Sequence, residues 1–153
     1  MNRTLKAFNQ TIEDISVLKT YDEAILLTPI TEGKWSIREI VAHLYNWDKY
    51  NAEKMVPFME DGAKLSNFPD HDTHNAAGLR ALESKSAHEI IDLFVQMRTH
   101  LIARLAQVDK QARFTIGGGK RAFSAESFAK LFVRHDGEHI PQINAKLEGS
   151  NPR

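Results

Sequence analysis

The sequence predicts an all-α protein, a four-helix bundle with long connections and one short extra helix. Apolar residues recur at three- and four-residue steps in four long segments, the spacing of amphipathic helices. Two of these segments open with a capping box, Ser36 to Glu39 and Ser86 to Glu89. Long alternating strand patterns and internal repeats are absent, so we expect a single helical domain over residues 1–153.

The first two helices are predicted from apolar spacing and from breaker residues. We expect the first to begin after a Thr4 cap and to run to about Thr20. Pro29 and Gly33 mark a linker, and the first capping box then opens a second helix that continues to about Phe58. The first helix carries its apolar face at helical steps: Leu5, Phe8, Ile12 and Ile15.

A long connection follows the second helix, marked by the turn pair at 61–62 and the polar run at 66–70. The short extra helix is predicted within it, from about Thr73 to Glu83. The second capping box opens a third long helix, whose apolar spacing continues to about Val108.

The last long helix is predicted to begin at a Ser124 cap. Before it, the glycines at 117–119 lie in a turn between two short apolar pieces, and a small hairpin can form there. One face of the last helix is apolar at its start: Phe128, Leu131 and Phe132.

Composition excludes several classes of function. Lys plus Arg equals Asp plus Glu at 20 each, which leaves no charge excess for nucleic-acid or anionic-membrane binding. Without cysteine, any metal must be bound by His, Asp or Glu. No apolar stretch is long enough to span a membrane, and the N-terminus lacks a signal core. We therefore expect a soluble cytoplasmic protein that binds neither nucleic acid nor membrane.

Two histidines of the last helix share its apolar face. At about 100° per residue, His135 and His139 both lie within about 20° of Phe128. Imidazoles one turn apart can chelate one ion at about 2.0–2.1 Å. The competing interpretation is two helical histidines satisfied by hydrogen bonds. The inward position favours a shared metal, because an unsatisfied buried polar group costs about 1–3 kcal/mol.

The stretch from His135 to His139 also fits H-x-x-E-H, a zinc-peptidase pattern with a glutamate base. We reject that function because such enzymes take a third ligand well downstream, and only 14 residues follow (153 minus 139). Glu138 remains a candidate base or outer-shell residue. The alternative for Glu138 is an exposed helical acid.

Two separated motifs together resemble the DinB/YfiT-like family. They are Trp35-Ser-Ile-Arg-Glu-Ile-Val-Ala-His43-Leu and Arg134-His135-Asp-Gly-Glu-His139-Ile-Pro-Gln-Ile. The resemblance implies a four-helix bundle in which His43, His135 and His139 hold one nickel or zinc ion and leave positions open to water. The residues themselves support His43 less well, since it lies at the flank of its apolar stripe and could be a core-edge histidine.

For function, the resemblance implies a metal-dependent hydrolase or a transferase that uses a low-molecular-weight thiol. It also implies a stress or detoxification role and a homodimer. Asp136 and Glu138 are the candidate acids or bases for hydrolysis. The alternative is a non-catalytic binding or sequestration protein with a metal in the bundle cavity. A third possibility is that the histidines are structural and the bundle acts through a dimer interface.

The remaining histidines are assigned to other environments. His71 and His74 compete as ligands, but we expect a solvated loop, with a lid or extra-ligand role as the alternative. His88 and His100 are expected at the surface.

Three other features bear on function. Pro141 removes a backbone donor beside His139, and we expect the helix to end and restart there. The segment 117–121, with its two basic residues, lacks phosphate-loop spacing and is interpreted as a flexible turn. Three aromatic residues of the second helix region are interpreted as core, with pocket lining as the alternative: Trp35, Trp47 and Tyr50.

Overall fold

Four long helices form the bundle in the computed structural model, which describes residues 1–148. Two shorter helices lie in the connections, and two strand segments pair in parallel. In chain order the elements are α1 (Arg3–Ser16), α2 (Glu23–Leu27), α3 (Ile37–Tyr50), β1 (Lys64–Leu65), α4 (His71–Ala81), α5 (Ala87–Gln107), β2 (Thr115–Ile116) and α6 (Ala125–Leu147). The predicted all-α architecture is confirmed. The short α2 was not predicted because five residues are too few to show a helical period.

Helix starts follow the capping residues, with one correction. The side chains of Ser36, Ser86 and Ser124 each accept a hydrogen bond from the backbone N–H three residues later. They cap α3, α5 and α6, as predicted. The Thr4 cap is wrong, because the side chain of Asn2 accepts from the Leu5 N–H at 2.8 Å and starts α1 two residues earlier. Thr4 is instead a buried residue of α1, and its hydroxyl donates to Glu126 at 3.0 Å.

The first two long helices end where the sequence predicted, through changes of helical pitch. After α1 a 3₁₀ turn, Val17–Thr20, carries the helical chain to its predicted end at Thr20. After α3 the chain widens into a π-helical turn, Asn51–Met55, and then tightens into a 3₁₀ turn, Val56–Phe58. The wide turn inserts extra backbone into a helix that otherwise runs toward the predicted end at 58.

The short helix predicted in the connection after α3 is present as α4, but it lies two residues earlier in the chain than predicted. The Asp70 side chain accepts from the Thr73 N–H at 2.9 Å and caps α4, so this helix begins at His71. The expectation that His71 and His74 lie in a solvated loop is therefore wrong. The hairpin predicted at the glycines is reduced to one antiparallel bridge between Phe114 and Phe123.

Pro141 does not end α6, which runs without interruption to Leu147. Proline has no N–H to donate to the carbonyl of Gly137, one turn earlier, so a single ladder bond is missing. The predicted restart is wrong because the contacts of α6 along the bundle outweigh that loss. Ile143, beyond the proline, is buried in the core.

A buried polar layer divides the core of the bundle. One apolar cluster contains Phe8 and Phe128, and the other contains Ile15 and Phe94. Between them each long helix contributes one polar side chain: Thr11, Asp48, Arg98 and Asp136. Because such groups are satisfied in only one alignment, the layer fixes how the four helices stand relative to one another.

Arg98 is the centre of this layer. It is 1% exposed, and its guanidinium reaches Asp48 at 2.7 Å, Asp136 at 2.8 Å and the Phe8 carbonyl at 3.0 Å. Thr11 donates to Asp136 at 2.9 Å. The aromatic ring of Phe8 lies 3.7 Å from the guanidinium carbon. All four long helices thus meet at one cation.

Within residues 1–148, helices long and apolar enough to cross a membrane are absent.

Candidate metal site

Three histidines from two helices converge beside the polar layer. His43 is a buried residue of α3, while His135 and His139 lie one turn apart on α6 and are half-buried. The Nε2 atoms of His43 and His135 are 2.9 Å apart, and one ligand nitrogen from each histidine lies within 4.8 Å of the others. The structure therefore brings together the three residues that the family resemblance implied.

The Nδ1 atoms of His43 and His139 make hydrogen bonds that point away from the three-histidine cluster, which leaves the Nε2 atoms of both rings available to a metal. His43 Nδ1 lies 3.1 Å from the side-chain oxygen of Asn75 on α4. His139 Nδ1 lies 3.0 Å from the side-chain oxygen of Gln142, one turn further along α6. An oxygen acceptor on Nδ1 places the proton there and directs the Nε2 lone pair inward.

His43 and His135, whose Nε2 atoms are closest together, are both held in the neutral form. Burial, followed by the neighbouring His135 and His139, lowers the pKa of His43 to about 3. Burial and His139 lower the pKa of His135 to about 4, although Asp136 and Glu138 oppose the shift. Neutral imidazole is the form that binds metal, so the site requires no deprotonation at neutral pH.

The donor set fits a borderline-soft divalent cation. Two nitrogens bound to one ion at about 2.0–2.1 Å lie roughly 2.8–3.4 Å apart for bond angles between octahedral and tetrahedral values. The 2.9 Å separation of His43 and His135 falls at the lower end of that span. Three imidazoles without a carboxylate or thiolate suit zinc, nickel or a similar ion and leave coordination positions open.

An open cavity of about 520 Å³ lies over the three histidines. Trp35 and Trp47 line it, whereas Tyr50 packs edge-on against Trp47 and is not part of its wall. The interpretation of both tryptophans as core only is therefore incomplete. The other apolar lining residues are Phe68, Leu131 and Phe132. Such a wall fits a small ligand with an apolar or aromatic body.

The two candidate acids of α6 occupy different environments. Glu138 is exposed and lines the cavity at its rim. Asp136 is buried, and Arg98 and Thr11 use its carboxylate oxygens. The expectation that Asp136 could act as an acid or base at the site is not supported, because it points into the polar layer.

The competing histidines are arranged differently from the three converging histidines. His71 lines the cavity and lies edge-on to Trp47, with ring centroids 5.3 Å apart. His74 packs against the same indole with ring centroids 4.3 Å apart, and its Nε2 is buried without a hydrogen-bond partner among the described residues. Neither joins the metal-ligand group found in residues 1–148.

Of the two histidines expected at the surface, only one is exposed. His100 lies on the outer face of α5, as expected. His88 is half-buried, because its Nε2 lies 3.0 Å from the Tyr21 carbonyl.

Two residues important to the site were missed in the sequence. Arg98 interrupts the apolar face of the third long helix, and a lone charge on such a face signals a buried ion network. Asn75 gave no signal, since its helix has no strong apolar period and its partners are distant in the chain.

Comparison with known proteins agrees with the fold and with the motifs. The family model of the DinB superfamily matches residues 3–143. Among solved structures, YfiT from Bacillus subtilis superposes with a TM-score of 0.74 at 15% identity, covering 97% of this chain and 89% of that chain. That protein is described as a probable metal-dependent hydrolase with an unusual four-helix bundle topology. At this identity the likeness shows the fold. A comparison with curated proteins gave no match.

Proposed function

The chain belongs to the DinB superfamily, and from this membership and its converging imidazoles we propose that it is a metal-dependent enzyme acting on small electrophilic molecules. The reaction is hydrolysis or transfer of a low-molecular-weight thiol. One observation carries the proposal: His43, His135 and His139 meet at the floor of a cavity with aromatic walls. The description of YfiT as a probable metal-dependent hydrolase supports the same class.

A nickel or zinc ion on these histidines would act as a Lewis acid and lower the pKa of a bound water or thiol. The chain's own residues supply the rest. The apolar wall would hold the body of the substrate, because burying apolar surface there is favourable, and the bound substrate would displace water from the histidines. Glu138, an exposed acid in the cavity lining, is the residue to which the proposal assigns the accepting and returning of a proton.

The two reactions differ in the attacking atom. In hydrolysis, a water oxygen bonds to the electrophilic carbon, and the leaving group departs with one of the water's protons. In thiol transfer, sulfur forms the new bond, the leaving group takes the bonding electron pair, and the thiol proton is released. Both need one base close to the nucleophile, and Glu138 is the carboxylate in the cavity lining.

The alternative, a non-catalytic sequestration protein, needs the same cavity but no groups that position a reacting substrate. Arg134 and Glu138, two charged residues in the cavity lining, therefore favour the enzyme. A homodimer, a cytoplasmic location and a stress or detoxification role remain part of the proposal through the family resemblance.

The test begins with metal content. Untagged protein would be analysed by elemental mass spectrometry together with His43→Ala, His135→Ala and His139→Ala, with the exposed His100→Ala as control. We expect about one divalent ion per chain, retained in His100→Ala and lost in the other three. No ion in the wild type, even after incubation with excess zinc and nickel, would overturn the proposal.

Turnover is then measured on chromogenic esters, and on an aromatic electrophile with a cysteine-based thiol. Product that appears over many cycles and disappears with a chelator supports the enzyme, and the productive substrate pair identifies the nucleophile. Tight binding of these molecules without conversion would favour sequestration.

A further inference from the structure

Asn75 links α4 to the metal site through one oxygen atom. Its Oδ1 lies 3.1 Å from His43 Nδ1 and 3.0 Å from the indole Nε1 of Trp47. His43 and Trp47 are one turn apart on α3, so a single amide from another helix bridges two adjacent turns. The protons that these two partners carry determine what the bridge does.

The indole decides the orientation of the amide. Trp47 Nε1–H can only donate, so the Asn75 atom that faces it must be the oxygen and not the NH₂ group. The same oxygen then faces His43, and only a protonated Nδ1 can donate to it. His43 is thereby fixed in the Nδ1–H tautomer, with the Nε2 lone pair directed toward His135, 2.9 Å away.

The opposite tautomer would damage the site. With the proton on Nε2, His43 would present N–H where a ligand lone pair is required, and the Asn75 oxygen would face a second lone pair. Burial already removes solvent that could offer His43 another partner, since the residue is 5% exposed. The amide of Asn75 is therefore the group that sets the usable form of this imidazole.

The rest of α4 contributes little to the core. None of its residues is buried, yet Gly78 lies so close to α3 that a Cβ added there would be only 2.7 Å from Cγ of Asn46. The helix thus lies close against α3, and Leu79 packs against the apolar core from its partly exposed position. Its close approach brings Asn75 within reach of His43.

We propose that Asn75, oriented by Trp47, is a positioning residue that fixes the tautomer of His43 for metal binding. This inference rests on the proposed metal function of the three histidines. It adds a residue outside the ligand set, and it assigns α4 the role of holding that residue in place.

The first test is a double-mutant cycle on Zn²⁺ affinity, measured by competition with a chromophoric chelator. Asn75→Ala should weaken binding about 10- to 100-fold, as for other lost partners of metal-binding histidines. Asn75→Asp should bind at least as tightly as wild type, because a carboxylate can accept from both partners. Arg80→Ala, on an exposed position of α4, is the control and should not change affinity.

Trp47→Phe separates orientation from packing. In the Asn75 protein it frees the amide to rotate, and we expect roughly a several-fold loss of Zn²⁺ affinity. In the Asn75→Asp background the two carboxylate oxygens are equivalent, so the same substitution should have no effect. An equal loss in both backgrounds would mean that Trp47 acts only through packing and would overturn the proposed orienting role.

A second measurement needs no metal. Nitrogen-15 NMR of the metal-free protein should show His43 as the Nδ1–H tautomer in the wild type and Asn75→Asp, and as a mixture in Asn75→Ala. An unchanged tautomer in Asn75→Ala would overturn the proposal. Failure of the proposed function gives a different result, in which the wild type binds no Zn²⁺ although His43 keeps its Nδ1–H form.

Discussion

Arg98 and Asp136 form a buried, bidentate ion pair. Arg98 Nη1 lies 2.8 Å from Asp136 Oδ2, and Arg98 Nη2 lies 3.0 Å from Asp136 Oδ1. Asp136 precedes the rim acid of the cavity by two residues and directly follows His135. The ion pair therefore holds α6 at the turn that carries His135, one of the three histidines of the candidate metal site. Because Arg98 also binds Asp48 on α3, it aligns the two helices that supply all three histidines.

Replacing Arg98 with Met should be severely destabilising. The substitution would leave two carboxylates, Asp48 and Asp136, buried without their cation, and breaking such a pair costs about 3–5 kcal/mol. Chemical denaturation of the metal-free protein measures the free energy of unfolding. The control is Arg104→Met, at an exposed position of the same helix, with an expected change within about 0.5 kcal/mol.

Restoring charge balance should recover much of that loss. In Arg98→Met combined with Asp48→Asn and Asp136→Asn, the layer contains no buried charge, and well-packed neutral replacements are often tolerated. A single Arg98→Met variant that loses less than about 1 kcal/mol would show that the layer does not hold the bundle together.

The sequence predicted the long helices well. It singled out His135 and His139 from their shared face on the last helix, but His43 only through family resemblance. Capping boxes and apolar periods are local signals, so Ser36 and Ser86 located two helix starts correctly. The failure at Thr4 was also local, because Asn2 was a competing cap that the apolar spacing did not reveal. Periodicity alone placed His43 at the flank of its helix, whereas the fold buries it against α4 and α6.

What could not be predicted depends on contacts between distant residues. Asn75 reaches His43 across 32 positions of sequence and Trp47 across 28, and no local pattern encodes such pairs. The polar layer likewise joins four helices. Its one sequence signal, Arg98 on an apolar face, indicates a buried partner but does not identify Asp48 or Asp136.

Acidification should destabilise the metal-free protein through its buried imidazoles. The pKa values of His43 and His135 are lowered to about 3 and about 4, from 6.5. Between pH 6.5, where a histidine of the unfolded chain titrates, and these lowered pKa values, the unfolded chain binds more protons than the folded one. The contribution of both histidines is therefore complete above pH 6.5 and is lost as the pH falls toward 4.

The measurement is the unfolding free energy across that window for wild type and for a His43→Gln, His135→Gln double variant. We expect a steeper decline in the wild type. His100→Gln should follow the wild-type curve, since that histidine is exposed. Asp48, whose pKa burial raises to about 6 against the effect of Arg98, is present in all three proteins and does not affect the comparison. Parallel curves would contradict the assignment of neutral buried histidines.

Gly78→Ala should weaken metal binding by displacing α4. Alanine favours helix by about 1 kcal/mol over glycine, but its Cβ would overlap the Asn46 side chain, with Cγ only 2.7 Å away. We expect α4 to move away from α3, and Asn75 with it. We expect Zn²⁺ affinity to fall while the free energy of unfolding changes by less than about 2 kcal/mol.

A second substitution should reverse that effect. Asn46→Ala removes the obstructing side chain, whose nitrogen has no hydrogen-bond partner in the described part of the chain. The Gly78→Ala, Asn46→Ala pair should therefore regain wild-type Zn²⁺ affinity. If the pair binds as weakly as Gly78→Ala alone, the close approach of α4 to α3 is not what positions Asn75.

Glu138→Gln tests whether the rim carboxylate takes part in chemistry. Glutamine keeps the shape of the side chain but cannot accept a proton, and loss of a general base lowers turnover by about 10²- to 10⁴-fold. Metal content should not change, because Glu138 is outside the three-histidine group. The control is Glu148→Gln, at an exposed acid beyond the end of α6, which should retain full activity. Unchanged turnover in Glu138→Gln would assign the proton transfer to solvent or to the substrate itself, since the nearest other acid on α6, Asp136, is committed to Arg98.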